Sequence, residues 1–321
     1  MRREAIQNSL FDSVAMSQAG RRTTEFLDRV EMLIPWDEIV AVVSCRDAPR
    51  QKGGAPGYPH KVLVRCMLLQ QWYGLSDPQM EEQLRDRLSF RRFVGLGFDE
   101  AIPDETTVCL YRKGLVDAGA WDTLFAVVNR HLDRLGVWVK QGTLVDATIL
   151  EAPKGRKKED KSSTRDPEAG FTKKNGKTSH GYKMHVAVDH SGLITHKETT
   201  AANVHDSKTL EPLIAHETVA VHADSAYKSR AADEVLARRG IKNGIVEKRV
   251  RGQAALSEEQ KQANRAKSKV RARVEHPFAW IKKPFGKLMV RYRGLKKNAQ
   301  HQSLLCAAYN LKRAASMVCP V

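Results

Sequence analysis

Three acidic residues stand out because of the sequence around them. Asp146 interrupts the apolar run 145–149, Asp224 follows the apolar run 219–223, and Glu275 lies among Lys and Arg residues. An unpaired carboxylate is costly to desolvate in an apolar strand. Taken singly, each acid has a structural explanation as a helix cap or as a member of an ion pair. Taken together, they predict a cluster of carboxylates, which repel one another unless a cation lies between them.

Such a cluster has a defined chemistry. Carboxylate oxygens are the hard ligands that suit Mg²⁺ or Mn²⁺, and these ions keep coordination positions for water and phosphate oxygens. Two ions about 3.5 to 4 Å apart activate the attacking oxygen and stabilise the departing one in an in-line displacement. We therefore expect two Mg²⁺ ions, replaceable by Mn²⁺, with Asp146, Asp224 and Glu275 as both metal ligands and catalytic residues.

The charge balance indicates the substrate class. The 321 residues include 54 Lys and Arg against 37 Asp and Glu, a net charge of +17. Most of the excess lies between Glu247 and Lys297, where 16 basic residues face 4 acidic ones. A solvated basic face would explain such a block, but together with a phosphate-transfer site it favours DNA as the partner.

The basic segment around Glu275 has helical periodicity. Arg271 and Lys282 fall within roughly 40° of Glu275 on a helical projection, which flanks the acid with two cations. Arg271 is expected to orient Glu275 or bind a phosphate, and Lys282 to hold the DNA backbone. The alternative for Arg271 is a surface ion pair with Glu275. Further DNA contacts in this segment are predicted at Lys267, Lys269, Arg273, Lys283 and Lys287.

The elements that position these residues follow from the periodicity. Residues 1–57 are expected to form a helical arm and a linker, and residues 58–136 four short helices. Ser76 with Gln79 predicts a capping box, and Asp104 predicts a cap of the helix that carries Arg112 and Lys113. That arrangement resembles a helix-turn-helix in which Arg112 and Lys113 bind DNA, although a purely supporting bundle is equally compatible with it.

Residues 137–321 are predicted to form a mixed α/β domain. β-Branched runs indicate three strands, a helix, a strand, a helix, a strand and a long basic helix. Strands one and four are expected to be neighbours, so that Asp146 and Asp224 converge. The charged segment 154–177, which has few apolar residues, is expected to be a mobile loop between the first two strands.

Several motifs, in order, resemble transposases of the insertion-sequence-five family, whose DDE active site lies on an RNase H-like fold. They include HKVLVRCMLLQQWYGLSD, QGTLVDATILEAP, TTAANVHD, ADSAY and RARVEHPFAWIKKPFG. The resemblance implies an RNase H-like mixed sheet flanked by helices behind an all-α N-terminal region. It implies that Asp146, Asp224 and Glu275 are the acidic triad, and that Arg271 and Lys282 belong to the family's Tyr, Arg, Glu, Lys signature.

Two positions depart from the family's pattern. Ser268 stands where the signature has Tyr, which leaves a base contact in doubt, and Ala226 stands where the motif after the second Asp has Gly. Neither change removes a metal ligand. The resemblance also implies supporting roles for Asn203, His205 and Asp206, although Asp206 has the alternative of a helix N-cap. Tyr227 closes the motif that begins at Asp224 and is assigned a supporting role with them.

The expected function is that of a bacterial insertion-sequence transposase that binds terminal inverted repeats, cleaves DNA and joins the 3′ ends to target DNA. Synapsis of two ends predicts a dimer or a higher oligomer. A metal-dependent nuclease without strand transfer has the same residues, whereas the intact Asp146, Asp224 and Glu275 speak against the other alternative, a domesticated DNA-binding regulator that keeps the fold. Five cysteines without a CxxC pair, and no long apolar segment, favour a cytoplasmic, nucleoid-associated protein without membrane contact.

Overall fold

The computed structural model describes most of the chain. The described ranges are 21–44, 57–155, 164–174, 176–217, 219–249, 255–272, 275–282 and 289–318. Their contacts define two compact units, one from Met1–Leu135 with Ser303–Val321 and one from Gly136–Gln302. The predicted division into 1–57, 58–136 and 137–321 remains a prediction, and the structure groups the residues from Ser303 onward with the N-terminal helices.

The first unit is helical in its described residues, as its sequence periodicity predicts. Its helices are α1 Arg21–Glu31, α2 Trp36–Ser44, α3 His60–Tyr73, α4 Asp77–Asp86, α5 Leu88–Val94, α6 Glu105–Asp117 and α7 Ala120–Arg134. The capping box of Ser76 and Gln79 is present, and Asp104 accepts the Thr107 N–H at 2.6 Å. Gly74 ends α3 in the left-handed conformation at φ 68°, which favours glycine.

Two expectations about helices are corrected. Residues 58–136 form five helices instead of four, because Arg87 adopts an extended conformation that separates α4 from α5. The C-terminal helix α12, Leu295–Val318, was not predicted, and its residues from Ser303 belong to the first unit. Its contact there includes a hydrogen bond from Trp72 Nε1 to the Ala308 carbonyl at 2.9 Å.

The second unit contains the mixed sheet. Its strands are β1 Thr143–Glu151, β2 Gly170–Lys174, β3 Lys177–Val188, β4 Ile194–Ala201, β5 Ala220–Ala223 and β6 Lys242–Asn243. The strands β4, β3 and β1 are antiparallel neighbours, whereas β5 joins β1 in parallel and β6 joins β5 in parallel. The predicted mixed α/β class, with helices around the sheet and a helical N-terminal region, is confirmed.

The segment between the first two predicted strands is partly ordered into the sheet. We expected a mobile loop over 154–177, but β2 lies within it and pairs antiparallel with the start of β3. The sequence does not predict this strand, because polar residues such as Lys173 leave it without an apolar face. Its register is set by its pairing with β3. Residues 156–163 and 175 lie outside the described residues.

Helices cover the sheet and lead to the basic segment. After β4 come a 3₁₀ turn and the short helix α8, Leu210–Leu213, and between β5 and β6 lies α9, Arg230–Arg238. Within the predicted basic helix the structure describes α10 Glu258–Arg271 and α11 Glu275–Lys282, and residues 273–274 between them lie outside the described residues. Among the described residues, no helix combines the length and the apolar character required to cross a membrane.

A close backbone contact at Gly181 holds β1 against β3. Gly181 has φ +153°, and a Cβ placed on it would lie 1.9 Å from the Leu150 carbonyl oxygen. Backbone atoms cannot move aside as a flexible side chain does, so any larger residue forces these strands apart.

We expect Gly181→Ala to lower the unfolding free energy by about 3 kcal/mol, the upper end of the usual cost of overpacking, because the added Cβ displaces backbone here. Gly240→Ala is the matched control, since Gly240 has φ +65° and no atom within 4 Å of an added Cβ. It should cost only about 1 to 2 kcal/mol, the strain of a left-handed residue. Urea unfolding of both variants measures the difference, and equal losses would contradict the role given to Gly181.

Candidate active site

The parallel pairing of β1 with β5 places two of the predicted acids side by side. Val145 pairs with Ala223 in this register; Asp146 is the next residue of β1, and Asp224 is the first residue after β5. Both side chains are half-buried. The predicted adjacency of these two strands is therefore confirmed, although Asp146 lies in the middle of β1 because that strand continues to Glu151.

Asp224 also begins a short 3₁₀ turn that carries Tyr227. The Asp224 carboxylate accepts the Ala226 N–H at 2.8 Å, which fixes the turn. Tyr227 is fully buried, and burial raises the pKa of its hydroxyl, with further increases from Asp206, Asp146 and Asp224. The three carboxylates thus lie within electrostatic reach of one hydroxyl, which stays protonated at neutral pH.

His185 links this turn to the rest of the sheet. Its Nδ1 lies within hydrogen-bond distance of the Tyr227 hydroxyl, at 3.0 Å, and of Thr209 Oγ1, at 3.2 Å, while its Nε2 lies 3.1 Å from Thr200 Oγ1. Burial lowers its pKa to about 4, which Asp206 partly opposes, so the ring is neutral. Sequence reasoning missed His185, and the signal was a His within the apolar strand KMHVAV.

The residues after β4 lie beside this network. Asp206 is ion-paired with Lys183 at 2.7 Å, and Lys183 also donates to the Val204 carbonyl at 2.8 Å. His205, and not Asp206, caps the 3₁₀ turn by accepting the Ser207 N–H at 3.3 Å. Asn203 is exposed and lies close against Gly170, since a Cβ on Gly170 would be 2.3 Å from Asn203 Oδ1.

Arg271 reaches the first acid from helix α10. Its guanidinium binds Asp146 Oδ2 at 2.8 Å, with about a fifth of each side chain exposed (21% and 19%). Its Nε is buried and has no hydrogen-bond partner among the residues that the structure describes. The structure pairs Arg271 with Asp146, and its predicted role towards Glu275 or a phosphate stays a prediction, because the Glu275 side chain lies outside the described residues.

The third acid is placed by its backbone only. Glu275 is the first residue of α11, and its side chain lies outside the described residues. Lys282, at the other end of α11, has its Nζ 5.8 Å from the Phe278 ring centroid. The convergence of Glu275 with the two aspartates therefore stays a prediction.

The donor set fits a hard divalent cation in its chemistry. Asp146 and Asp224 supply carboxylate oxygens from β1 and from the end of the neighbouring β5, and one Asp224 oxygen accepts the Ala226 N–H. Among the described residues, no three His, Cys, Asp or Glu side chains are grouped so as to hold a metal ion. A third ligand would have to come from outside that set, where the Glu275 side chain lies.

The predicted DNA-binding residues have different positions. Arg112 is buried and pairs with Asp77, with 2.6 Å between Nη1 and Oδ1. Its guanidinium is therefore occupied by an ion pair within the helical unit, and the expectation that Arg112 binds DNA is wrong. Lys113 is exposed on the same helix.

In the basic segment, too, some of the predicted cations make contacts within the protein and others are exposed to solvent. Lys267 donates to the Ile245 carbonyl at 2.8 Å, which leaves it half-buried, whereas Lys269 is exposed. Arg273, Lys283 and Lys287 lie outside the described residues. Of the predicted DNA-binding residues that the structure describes, Lys113 and Lys269 are exposed.

Two family models match the chain. The model described as "Transposase DDE domain" matches residues 138–311, more than half of the chain, and the model described as "Transposase domain (DUF772)" matches residues 16–114. The chain belongs to the family of transposases with a DDE domain. It is a transposase that acts on DNA, an enzyme that cleaves DNA strands and transfers them.

Solved structures of Mos1 transposase have a weaker similarity. The chain is 14% identical to the Mos1 strand transfer complex, covering 74% of this chain and 82% of that chain at a TM-score of 0.21. It is 13% identical to the Mos1 paired-end complex with the left transposon end, covering 75% and 84% at a TM-score of 0.19. TM-scores this low carry no argument, so the assignment of the chain to its family rests on the two family models.

The buried neutral His185 predicts a pH dependence. Its pKa is lowered to about 4 in the folded protein, whereas the unfolded chain binds that proton near pH 6.5. Between these values the unfolded state holds more protons, so stability present above about pH 6.5 is lost as the pH falls towards 4. The contribution is about 1.4 kcal/mol per pH unit.

We expect His185→Gln to remove this part of the pH dependence, measured by hydrogen exchange of the β3 amides from pH 7 down to 4.5. His205→Gln is the control, because His205 is exposed, and it should keep the wild-type slope. A wild-type slope in His185→Gln would show that the ring is not the group responsible.

Proposed function

We propose that the chain is the transposase of a bacterial insertion sequence of the insertion-sequence-five type. It binds the terminal inverted repeats, hydrolyses phosphodiesters to free 3′-hydroxyls and joins those ends to target DNA. The observation that carries the proposal is the β1 to β5 register, which brings Asp146 and Asp224 together in a chain of the DDE family.

Members of this family depend on divalent metal ions, and our proposal is more specific. Two Mg²⁺ ions are held by Asp146, Asp224 and Glu275, and Mn²⁺ replaces them. When bound, the ions supply activation of the attacking oxygen and stabilisation of the departing one. The attacking group is water in cleavage and a DNA 3′-hydroxyl in joining.

The protein's own side chains prepare the site. Arg271 neutralises part of the charge of Asp146, and the Lys183 ion pair does the same for Asp206. Tyr227 remains protonated and is hydrogen-bonded to His185, so it positions the turn after Asp224 and does not act as a nucleophile. These contacts limit the repulsion among Asp146, Asp206 and Asp224 before DNA binds.

Handling two DNA ends requires at least two active sites, so we propose that the protein acts as a dimer or a higher oligomer on DNA. Exposed cations, Lys113 on α6 and Lys269 on α10, are proposed to contact phosphates. Contacts from Arg273, Lys283 and Lys287, and support from Lys282, Asn203 and His205, are part of the same proposal.

The central test is cleavage of DNA that carries the ends flanking the protein's own gene, with and without Mn²⁺. Asp146→Asn and Asp224→Asn should each lower the cleavage rate at least about a thousandfold, because each removes charge that holds the ions, worth several kcal/mol. Glu234→Gln, an exposed acid on α9, is the control and should cut normally.

The products separate the remaining alternatives. Joined products with a second duplex support a transposase, whereas cleavage without joining identifies a nuclease. DNA binding without metal-dependent cleavage in the wild type would identify a regulator and overturn the proposal. Cleavage that survives Asp224→Asn would overturn the residue assignment.

The Arg271 ion pair gives an independent test that does not need DNA. Because its guanidinium binds Asp146 Oδ2, a divalent ion has to compete for that oxygen. We expect Arg271→Gln to lower the Kd for Mn²⁺ about tenfold, the equivalent of one charged hydrogen bond. Electron paramagnetic resonance of free Mn²⁺ measures this. Arg230→Gln, which removes the same charge from α9, should change nothing, and weaker binding in Arg271→Gln would show that Arg271 supports the ion.

A further inference from the structure

Helix α10, Glu258–Arg271, is attached to the second unit through one face. Asn264 exchanges hydrogen bonds with the Glu247 backbone at 2.9 and 3.0 Å, Lys267 donates to the Ile245 carbonyl at 2.8 Å, and Arg271 binds Asp146. At about 100° per residue, these three side chains lie within roughly 60° of one another. The helix buries no residue, so polar contacts along this face hold it in place.

A second side of α10, at about 60° to 140° from Asn264 around the helix axis, has a row of cations. Lys261, Arg265 and Lys269 follow one another at intervals of four residues, and all three are exposed. Within the described part of the chain, Lys261 pairs with Glu258, one turn before it, whereas Arg265 and Lys269 have no acidic partner. No acid follows Glu259 in this helix.

This spacing disfavours the helix itself. Like charges four residues apart destabilise a helix by a few tenths of a kcal/mol per pair. Other exposed helices of the chain have opposite charges at that spacing, as in Arg85 with Glu81 and Arg230 with Glu234. Arg265 and Lys269 are not compensated in this way within the described residues, which favours a polyanion on this side of the helix.

The row also leads to the candidate active site. Arg271, in the last turn of α10, contacts Asp146, and Lys269 lies two residues before it. Successive members of the row are about 6 Å apart along the helix axis, so the row extends some 15 Å away from Arg271. A DNA strand that enters the site would follow the helix over that distance.

We propose that Lys261, Arg265 and Lys269 form a phosphate track that binds the backbone of the DNA strand next to the scissile phosphate. The inference rests on the proposed function, since it names how that site holds its substrate. Backbone contacts of this kind position the strand and are independent of base sequence.

The test measures DNA binding by two triple variants in the absence of metal ions. The DNA is a duplex that carries an end of the protein's own element. Lys261→Gln, Arg265→Gln and Lys269→Gln together should lower the slope of log K against log salt by up to about 2.7, or about 0.9 per phosphate. Affinity at about 0.1 M salt should fall between roughly 50- and 500-fold. Arg85→Gln, Arg230→Gln and Arg238→Gln form the control, since each of these exposed arginines pairs with an acid.

Neutral methylphosphonates within a few nucleotides of the scissile phosphate locate the contact. They should weaken binding by the wild type and by the control, but leave the track variant unaffected, because its partners are already gone. An unchanged salt slope in the track variant, or an equal loss in the control, would overturn the track. If the wild type cuts the duplex with Mn²⁺ but the track variant binds DNA as tightly as the wild type, the phosphate track is refuted and the proposed function stands. If the wild type does not cut the duplex, the proposed function is refuted.

Discussion

The parallel pairing of β1 with β5 is the constraint on which the site depends. Val145 and Ala223 are paired and buried, and the acids follow immediately on both strands. A slip of one residue would turn Asp146 towards the opposite face of β1, because side chains alternate along a strand. The apolar residues that fill the core on either side of these strands thus fix the positions of the carboxylates, so the site needs no separate device to align them.

Carboxylates brought together in this way repel one another, and the surrounding side chains offset the repulsion. Arg271 pairs with Asp146, Lys183 pairs with Asp206, and Asp224 binds the backbone of its own turn. Tyr227 and His185 form a neutral hydrogen-bonded pair beneath them, each held uncharged by burial. The fold therefore tolerates the acidic cluster by pairing some carboxylates and by keeping its deepest groups neutral.

The two aspartates were predictable because each stands out against an apolar run, and apolar runs give strands. His185 was missed because a buried His within a strand has the pattern of a core residue, and only its partners show that it connects the site. Arg112 was predicted to bind DNA because the sequence does not distinguish an exposed arginine from a buried one. The strand β2 and the break at Arg87 depend on pairing and local backbone conformation, which periodicity does not report.

Helix α10 shows how attachment and DNA binding can be connected. A helix held by polar contacts, with no apolar residue buried, belongs to the least stable part of a fold, because each of those contacts competes with water. One of its contacts is made with Asp146 itself, so any movement of the helix changes the charge around that acid. Phosphates bound along its outer face would therefore act on the active site through Arg271, because one rigid helix has both groups of side chains.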